Sequence, residues 1–305
     1  MSFSQIFNLT LTAGELGLIC SLTVLALFLS YRMLNVCDLS TDGCFTFGAV
    51  VGAVVALSGH PYLSILAAMV AGILSGFVTA FLQTRMGINS LLAGIIVNTG
   101  LYSVNIAVMS GASLLNLNKT TTVFTLAKTY LKSAHRLLIA LFFVLLVIIF
   151  LSYFLKTKIG LAIRATGNNP AMVASSSINP AFTTTVGLCI ANSFTALSGC
   201  LLAQSQKSVS IDIGNGMLTV ALASLLIGSV LVKKNNITLK AVGCVLGAIV
   251  FRLIYTMALR FNMPAYMLKL VSACIVIIAI SAPYLKLQLS NFKKRQRHQQ
   301  EGKKC

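Results

Sequence analysis

Long apolar runs alternate with short polar breaks along almost the whole of this chain. A helix needs about 20 mostly apolar residues to cross a bilayer. Nine segments meet or approach that length: 14–31, 43–59, 61–83, 90–110, 136–155, 181–206, 217–232, 237–257 and 265–285. The second and third are parted only by His60-Pro61, so counts of eight or ten stay open. The pattern predicts an all-α, polytopic helical membrane protein, with one transmembrane domain over 1–285 and a basic tail over 286–305. The first apolar run has no basic region ahead of it and no small-residue cleavage site behind it. It reads as a span and not as a cleaved signal.

One break is unlike the others. Residues 156–179, KTKIGLAIRATGNNPAMVASSSIN, form a polar stretch of 24 residues between long apolar spans. It carries Lys156, Lys158, Arg164, two glycines, an Asn-Asn-Pro and a helix-like piece over 171–176. Standing alone, such a segment adds nothing to the stability of a membrane bundle. It reads as a docking surface for a partner, which points to a transporter driven by a separate motor.

Composition narrows the classes. The 305 residues are 57% hydrophobic and 9% charged, with a mean hydropathy of +0.91, which excludes a soluble globular domain. The formal charge of +18 is the mark of basic cytoplasmic loops and not of a nucleic-acid partner. There is no GxxxxGK[ST] loop, so ATP, if it is used, is bound by another chain. The eight cysteines are scattered without a CxxC and read as small hydrophobes. His60, His135 and His298 are dispersed, and no metal cluster, nucleophile pair or paired-carboxylate arrangement sits within facing spans. An intramembrane enzyme is disfavoured, and no catalytic residue, metal or resident cofactor is expected.

The tail carries Lys286, Lys293, Lys294, Arg295, Arg297, Lys303 and Lys304, which places the C-terminus in the cytoplasm. Counting back from it puts 156–180 inside and the N-terminus outside. Of the 23 Lys and Arg, 15 then fall inside, six outside, and Arg252 and Lys269 within spans. The awkward segment is 111–135, which falls outside with Lys119, Lys128 and Lys132 and has room for a surface helix.

Two stretches open in a similar way. Asp38-Leu-Ser-Thr-Asp42-Gly43 begins a span pair that closes on Arg85-Met86-Gly87, and Asp212-Ile-Gly-Asn-Gly216 begins another that closes on Asn262-Met263-Pro264. The gaps from Asp38 to Met86 and from Asp212 to Met263 are 48 and 51 residues. The two copies start on opposite sides of the membrane, as in an inverted repeat with a transport path between its halves; a chance match is the alternative.

Acidic residues are few: Glu15, Asp38, Asp42, Asp212 and Glu301. A carboxylate near hydrocarbon is costly and usually functional. Asp38 and Asp42, beside Gly43, would suit a broken helix that lines a cavity, or a helix cap. Asn98, Tyr102 and Asn105 are spaced by four and three residues and so share a face expected to point into the bundle. Asn192 sits similarly in the sixth span. These residues and Asp212 are candidates for lining a pathway, with interhelical hydrogen bonding as the bland alternative. Gly48 to Gly52 and Gly243 to Gly247 have GxxxG spacing, which lets helices approach closely.

The 156–179 segment resembles the cytoplasmic coupling loop of ABC importer permeases of the ribose and branched-chain amino acid type, T-x-x-G-x-x-x-R-A-x-G-x-N-x-x-A-A-x-x-x-G-I. The matching residues are Gly160, Arg164, Ala165, Gly167, Asn169, Pro170 and Ala174, followed by Ile178-Asn179. DLSTDGCFTFGA (38–49), LLAGIIVNTGLYSVNIAVM (91–109) and VALASLLIGSVL (220–231) are most similar to a bacterial subgroup of these permeases, some of them linked to aromatic amino acid uptake. Ser177 stands where that pattern has Gly, and Val173-Ala174 stands for Ala-Ala.

The resemblance implies a homodimer of this chain in the bacterial cytoplasmic membrane, in contact with lipid. It also implies a cytoplasmic ATPase that docks on the 156–179 residues and an extracytoplasmic substrate-binding protein. The substrate would be a small polar solute, an amino acid or an aromatic one, with a sugar or nucleoside as the alternative. An ion-coupled secondary transporter built on Asp38, Asp42 and Asp212 is the competing reading.

Overall fold

The computed structural model describes residues 3–118, 120–128, 135–232 and 236–260, with isolated helical positions at 270, 273, 274, 277 and 281. Most of the expected ninth span, the tail 286–305, Asn262-Met263-Pro264, Lys119, Lys132, Lys233 and Lys234 lie outside the described residues.

The chain is a helical membrane bundle. In order, its elements are α1 (Phe3–Leu27), continued by a π-helical turn (Phe28–Met33), α2 (Thr41–Leu57), α3 (Pro61–Thr84), α4 (Ser90–Val108), β1 (Leu114–Asn116) and α5 (Val123–Lys128). Then come α6 (His135–Phe154), α7 (Lys158–Asn168), α8 (Pro170–Ser175), α9 (Pro180–Gln206), β2 (Ser208–Ser210), α10 (Met217–Leu231) and α11 (Ile237–Arg260). Among the described residues, six helical stretches are long and apolar enough to cross a membrane: Thr10–Met33, Pro61–Thr84, Ser90–Val108, Arg136–Phe154, Pro180–Gln206 and Ile237–Ala258. Thr41–Leu57 and Met217–Leu231 are apolar but shorter. These eight correspond in position to the first eight expected spans.

Starts and stops follow local chemistry. Proline at the first helical position opens α3, α8 and α9, where its missing N–H is not needed. Asn89, Asn169 and Asn179 cap α4, α8 and α9 through their side-chain oxygens.

Helix α9 is the central post. Every residue from Ala191 to Ser205 is buried, with α1, α2 and α3 packed around it. Close packing depends on small residues, because in an apolar solvent only good contact holds helices together. Gly48 of α2 lies on the Ala196 backbone, and Gly72 of α3 on the Asn192 carbonyl; a Cβ at either would overlap α9. The GxxxG pair Gly243 and Gly247 meets Gly228 and Ser224 of α10 in the same way. By contrast α3 and α6 present large apolar side chains outward. Tyr62, Leu66 and Leu74 are 66%, 60% and 58% exposed, and Phe142 and Ile149 61% and 68%. Such faces suit lipid.

The chain is not purely helical. β1 and β2 form a two-stranded antiparallel ribbon, with Leu115 opposite Val209, that ties the α4–α5 connection to the end of α9. The 111–135 segment does hold a short helix, α5, but its first residues are not on the surface: Val123 and Phe124 are buried, and Val123 N–H donates to Gln204 Oε1 of α9 (3.0 Å).

The contacts along α9 fix relative directions. Gly48 and Gly52 meet Ala196 and Cys200 in rising order, so α2 runs with α9. Gly17 of α1 meets Ile249, while Ser198 donates to the Ile19 carbonyl and Ser205 to Glu15, so α1 runs against α9. Helix α11 runs against α1, and α10 against α11. The two short helices α2 and α10 therefore point in opposite directions.

Close contact at Gly48 has a measurable consequence. Gly48→Val should destabilise the purified full chain by about 1–3 kcal/mol or more, as overpacking does. Gly100 has nothing near its missing Cβ, so Gly100→Ala should be neutral or gain up to about 1 kcal/mol. Thermal unfolding in mild detergent compares the two.

Candidate functional site

The first site is built where regular structure stops. Between the π-turn and α2, residues 34–40 run without helix, yet Leu34, Asp38 and Ser40 are buried. Buried backbone must find partners. Leu34 N–H and Val36 N–H return to the carbonyls of Leu29 (3.1 Å) and Ser30 (3.0 Å). Asp38 accepts from the Ser40 N–H (2.8 Å) and hydroxyl, and its other oxygen accepts from Asn192 Nδ2 (2.9 Å). Thr79 of α3 donates to Ser40 Oγ (3.3 Å). One carboxylate thus joins the irregular segment directly to α9 and, through Ser40, to α3. Asn192 is about 18 Å along α9 from its start at a rise of about 1.5 Å per residue, so this junction sits deep in the bundle.

Asp42 lies one turn further on. It caps not its own helix but α10. Its two oxygens accept from Gly216 N–H (3.0 Å) and Leu218 N–H (2.7 Å). Gly216 takes φ +88°, a left-handed conformation that glycine adopts freely, and so turns these amides toward Asp42. Gly214 packs against the Asp42 carbonyl and the Thr46 side chain. The N-termini of α2 and α10 therefore meet, and the carboxylate between them answers both helix dipoles.

Of the candidates from sequence, Asp38, Asp42, Asn192 and Asn98 converge here. Asn98 of α4 sits over Gly43, whose Cβ would come within 2.6 Å of its Oδ1. Asn105 also points inward at 1% exposure, and its Oδ1 has no hydrogen-bond partner. Tyr102 departs from expectation: it is 52% exposed. The buried stripe of α4 is Ala93, Gly94, Val97, Leu101 and Asn105, and at about 100° per residue Tyr102 falls roughly 100° from the middle of it. Asp212 is exposed and bonded to Asn215 Nδ2 (2.8 Å), apart from the carboxylates of Asp38 and Asp42. Ser40 and Thr79 were not foreseen; only a buried Asp two residues before a Ser hinted at the first.

The second site is the polar break. It folds as two helices, α7 and α8, between the ends of α6 and α9. Thr157 caps α7 by accepting from Gly160 N–H (3.3 Å). Gly160 lies on the Phe154 carbonyl and Leu155, and Gly167 on the Met33 carbonyl and Leu34; any side chain at either would collide with backbone. Ile163 is fully buried, and Thr166 shares a 2.7 Å hydrogen bond with Thr183 of α9. The segment is therefore fixed to three helices of the bundle.

Its outer face is open. Leu161 is 52% exposed, Met172 66%, and Ala165, Ala174 and Asn169 are exposed too. Arg164 is half-buried and lines a cavity of about 540 Å³ with Arg32, Asn35 and Lys240. Ser177 takes φ +61°. Ile178 N–H returns to the Val173 carbonyl (3.3 Å) and Ser177 N–H to that of Ala174 (3.2 Å), the Schellman closure that favours glycine at this position.

Residues 10–280 match the model of the family described as branched-chain amino acid transport system / permease component. The chain belongs to this family. The permease is also 30% identical over 274 residues to a tyrosine transport system permease protein of Clostridioides difficile (strain R20291), covering 90% of each chain. It is 29% identical over 280 residues to an uncharacterised protein of Rickettsia prowazekii (strain Madrid E), covering 90% of the permease and 98% of that protein. No solved structure gives a significant match. The permease is thus an ABC-type transport component and not an enzyme.

Two substitutions test the geometry. Asp42→Ala leaves two partly buried N–H groups of α10 without an acceptor and should cost about 1–2 kcal/mol; Asp42→Asn, with one acceptor oxygen left, should cost about half as much. Ser177→Gly relieves a left-handed serine and should stabilise by up to about 1 kcal/mol. Both are read from unfolding midpoints of the purified chain.

Proposed function

We propose that this permease is the membrane subunit of an ATP-driven importer for an amino acid, with α7 and α8 as the element on which a cytoplasmic ATPase docks. The observation that carries the proposal is the two-faced build of that element. Its inner face is locked to α1, α6 and α9 by Gly160, Ile163, Gly167 and Thr166. Its outer face offers Leu161, Ala165, Met172 and Ala174 to an absent partner. An element rigid on one side and open on the other can pass a push from a motor into the helices that carry Asn192 and the π-turn.

Family membership supports an ATPase and an extracytoplasmic binding protein as partners, with ATP hydrolysed on the partner. The Clostridioides difficile relative, a tyrosine transport permease by its printed name, supports an aromatic amino acid as substrate. The same membership supports a homodimer in the bacterial cytoplasmic membrane. In this arrangement α7, α8 and the tail 286–305 face the cytoplasm. The opposed short helices α2 and α10 support reading 38–86 and 212–263 as inverted copies. Asp38, Asp42 and Asn192 hold the junction of those copies, and movement there opens the path; Asn98 and Asn105 line its approach.

The competing ion-coupled reading is weakened by the partners of the buried Asp38 and the partly buried Asp42. Both are satisfied by amide and hydroxyl donors.

The test is uptake of labelled tyrosine by cells that carry the complete transporter. Leu161→Asp and Met172→Asp place charge on the open face without touching the core. Each should lower ATP-dependent uptake at least ten-fold, as loss of a docking anchor does, with the unfolding midpoint of the purified chain unchanged. Wild-type uptake by both variants would remove the docking role from this face.

A further inference from the structure

After α9 the chain re-enters the bundle. β2 lies at the end of α9 far from α7 and α8, and residues 211–216 lead from it to α10 as irregular turns. Helix register shows how deep they go. Gly48 rests on Ala196 and Gly52 on Cys200, and Cys44 Sγ–H donates to the Asn192 carbonyl (3.3 Å). Thr46 is thus level with Phe194, near the middle of the 27-residue α9. Gly214 packs on the Thr46 side chain and the Asp42 carbonyl, so the segment reaches half-way through the bundle. Polar groups at that depth are normally hidden, yet Asp212, Asn215 and Thr219 are all exposed. Asp212 is within about 7 Å of Gly214 along the chain. It is also the exposed one of the four described carboxylates. A carboxylate facing hydrocarbon is costly, and irregular backbone at membrane depth persists only inside protein or beside water. The surface that carries these residues therefore faces water and not lipid.

Helix α4 forms a second wall. Ile106 and Met109 belong to one apolar cluster with Val209, Ile211 and the outer half of α2. One turn from Ile106 towards the middle of α4 is Tyr102, and one more turn brings Asn98, which sits over Gly43. Tyr102 is half-exposed, outside the buried stripe of α4. At comparable depth the outward faces of α3 and α6 carry Leu74 and Leu145 instead. Asn105, three residues from Tyr102, is buried with its Oδ1 unbonded among the described residues. The two walls are therefore joined by apolar contacts near one end of the bundle and turn polar at mid-depth.

We propose that Tyr102, Asp212, Asn215 and Thr219 line the water-filled path of the solute, with Asp212 receiving the ammonium group of an amino acid and Tyr102 packing on its aromatic side chain. A carboxylate and an ammonium form a charge-assisted hydrogen bond, and a tyrosine ring stacks on another ring. The amino acid rests on the importer reading above; the water-facing wall rests on depth and exposure alone. Buried Asp38 and partly buried Asp42 hold the junction together, and the exposed Asp212 is left to meet the cargo.

The test uses the complete transporter in washed membranes, with added cysteines read against the unsubstituted permease. Tyr102→Cys, Asn215→Cys and Thr219→Cys should react with a charged, water-soluble methanethiosulfonate about ten-fold or more faster than Leu145→Cys and Ile149→Cys on the outward face of α6, because the reactive thiolate forms in water and not in hydrocarbon. In uptake of labelled tyrosine, Asp212→Asn and Tyr102→Ala should each lower transport about ten-fold or more, while Tyr102→Phe, which keeps the ring, should retain it. Co-purification of the ATPase should be unchanged in all of them. Labelling of the three wall positions as slow as that on α6 would overturn the proposal and leave the importer reading standing. Fast labelling with unaltered uptake by Asp212→Asn and Tyr102→Ala would overturn the substrate contacts. Fast labelling with no tyrosine uptake by the wild-type transporter would contradict the amino acid and keep the water-facing wall. Should Asp212→Asn not assemble, Tyr102→Ala against Tyr102→Phe carries the same comparison.

Discussion

An apolar bundle cannot leave backbone amides and carbonyls unpaired, and two breaks in this one make that constraint acute. The chain abandons helix at 34–40 and again at 211–216, beside buried residues. Each break is closed by groups far away in sequence. Asp38 takes Asn192, and Asp42 takes the first amides of α10. The rest of the architecture follows from this mutual repair. α2 and α10 are short because they begin inside the bundle, at about 25 Å and 22 Å for 17 and 15 residues. α9 is the most buried helix because it supplies both the partner for Asp38 and the carbonyls on which small residues of α2 and α3 rest.

The same logic places the element proposed for docking. α7 is amphipathic and lies outside the apolar spans, yet it is no loose loop. Two glycines press it onto the backbone at the ends of α6 and α1, and a threonine pair ties it to α9. A displacement of α7 is thereby passed to the helix that holds Asn192 and to the turn that leads to Asp38. On the proposed docking role, coupling would be a matter of stiffness along one connected path, in which glycine serves close approach and arginine lines the basic cavity beneath.

Much of this was legible in the sequence, for physical reasons that can be named. Hydropathy marked eight described helices, six of them with the length that bilayer thickness demands. The 156–179 segment stood out because polarity, two glycines and Asn-Pro make no sense inside hydrocarbon, and Ser177 marked a glycine position that the left-handed φ explains. Other features were not legible. Asp42 looked like a cap for its own helix, and nothing local shows that it accepts from Gly216, 174 residues later, to cap α10. Tyr102 was grouped with Asn98 and Asn105 by spacing alone. Spacing tells which residues are near one another on a helix but not where the buried stripe is centred, and the small residues Ala93 and Gly94 set that centre. The ribbon of β1 and β2 escaped because three-residue strands carry no periodic signal.

The central claim is that the open face of α7 and α8 meets a motor. Its most direct test is photo-crosslinking in native membranes from an amino acid with a photoreactive side chain at position 172 or 174, followed by mass spectrometry of the adducts. The account predicts an adduct with an ABC-type ATPase from these positions and none from position 149, on the outward face of α6. Adducts confined to lipid or to the permease itself, with the ATPase present in the same membranes, would contradict it.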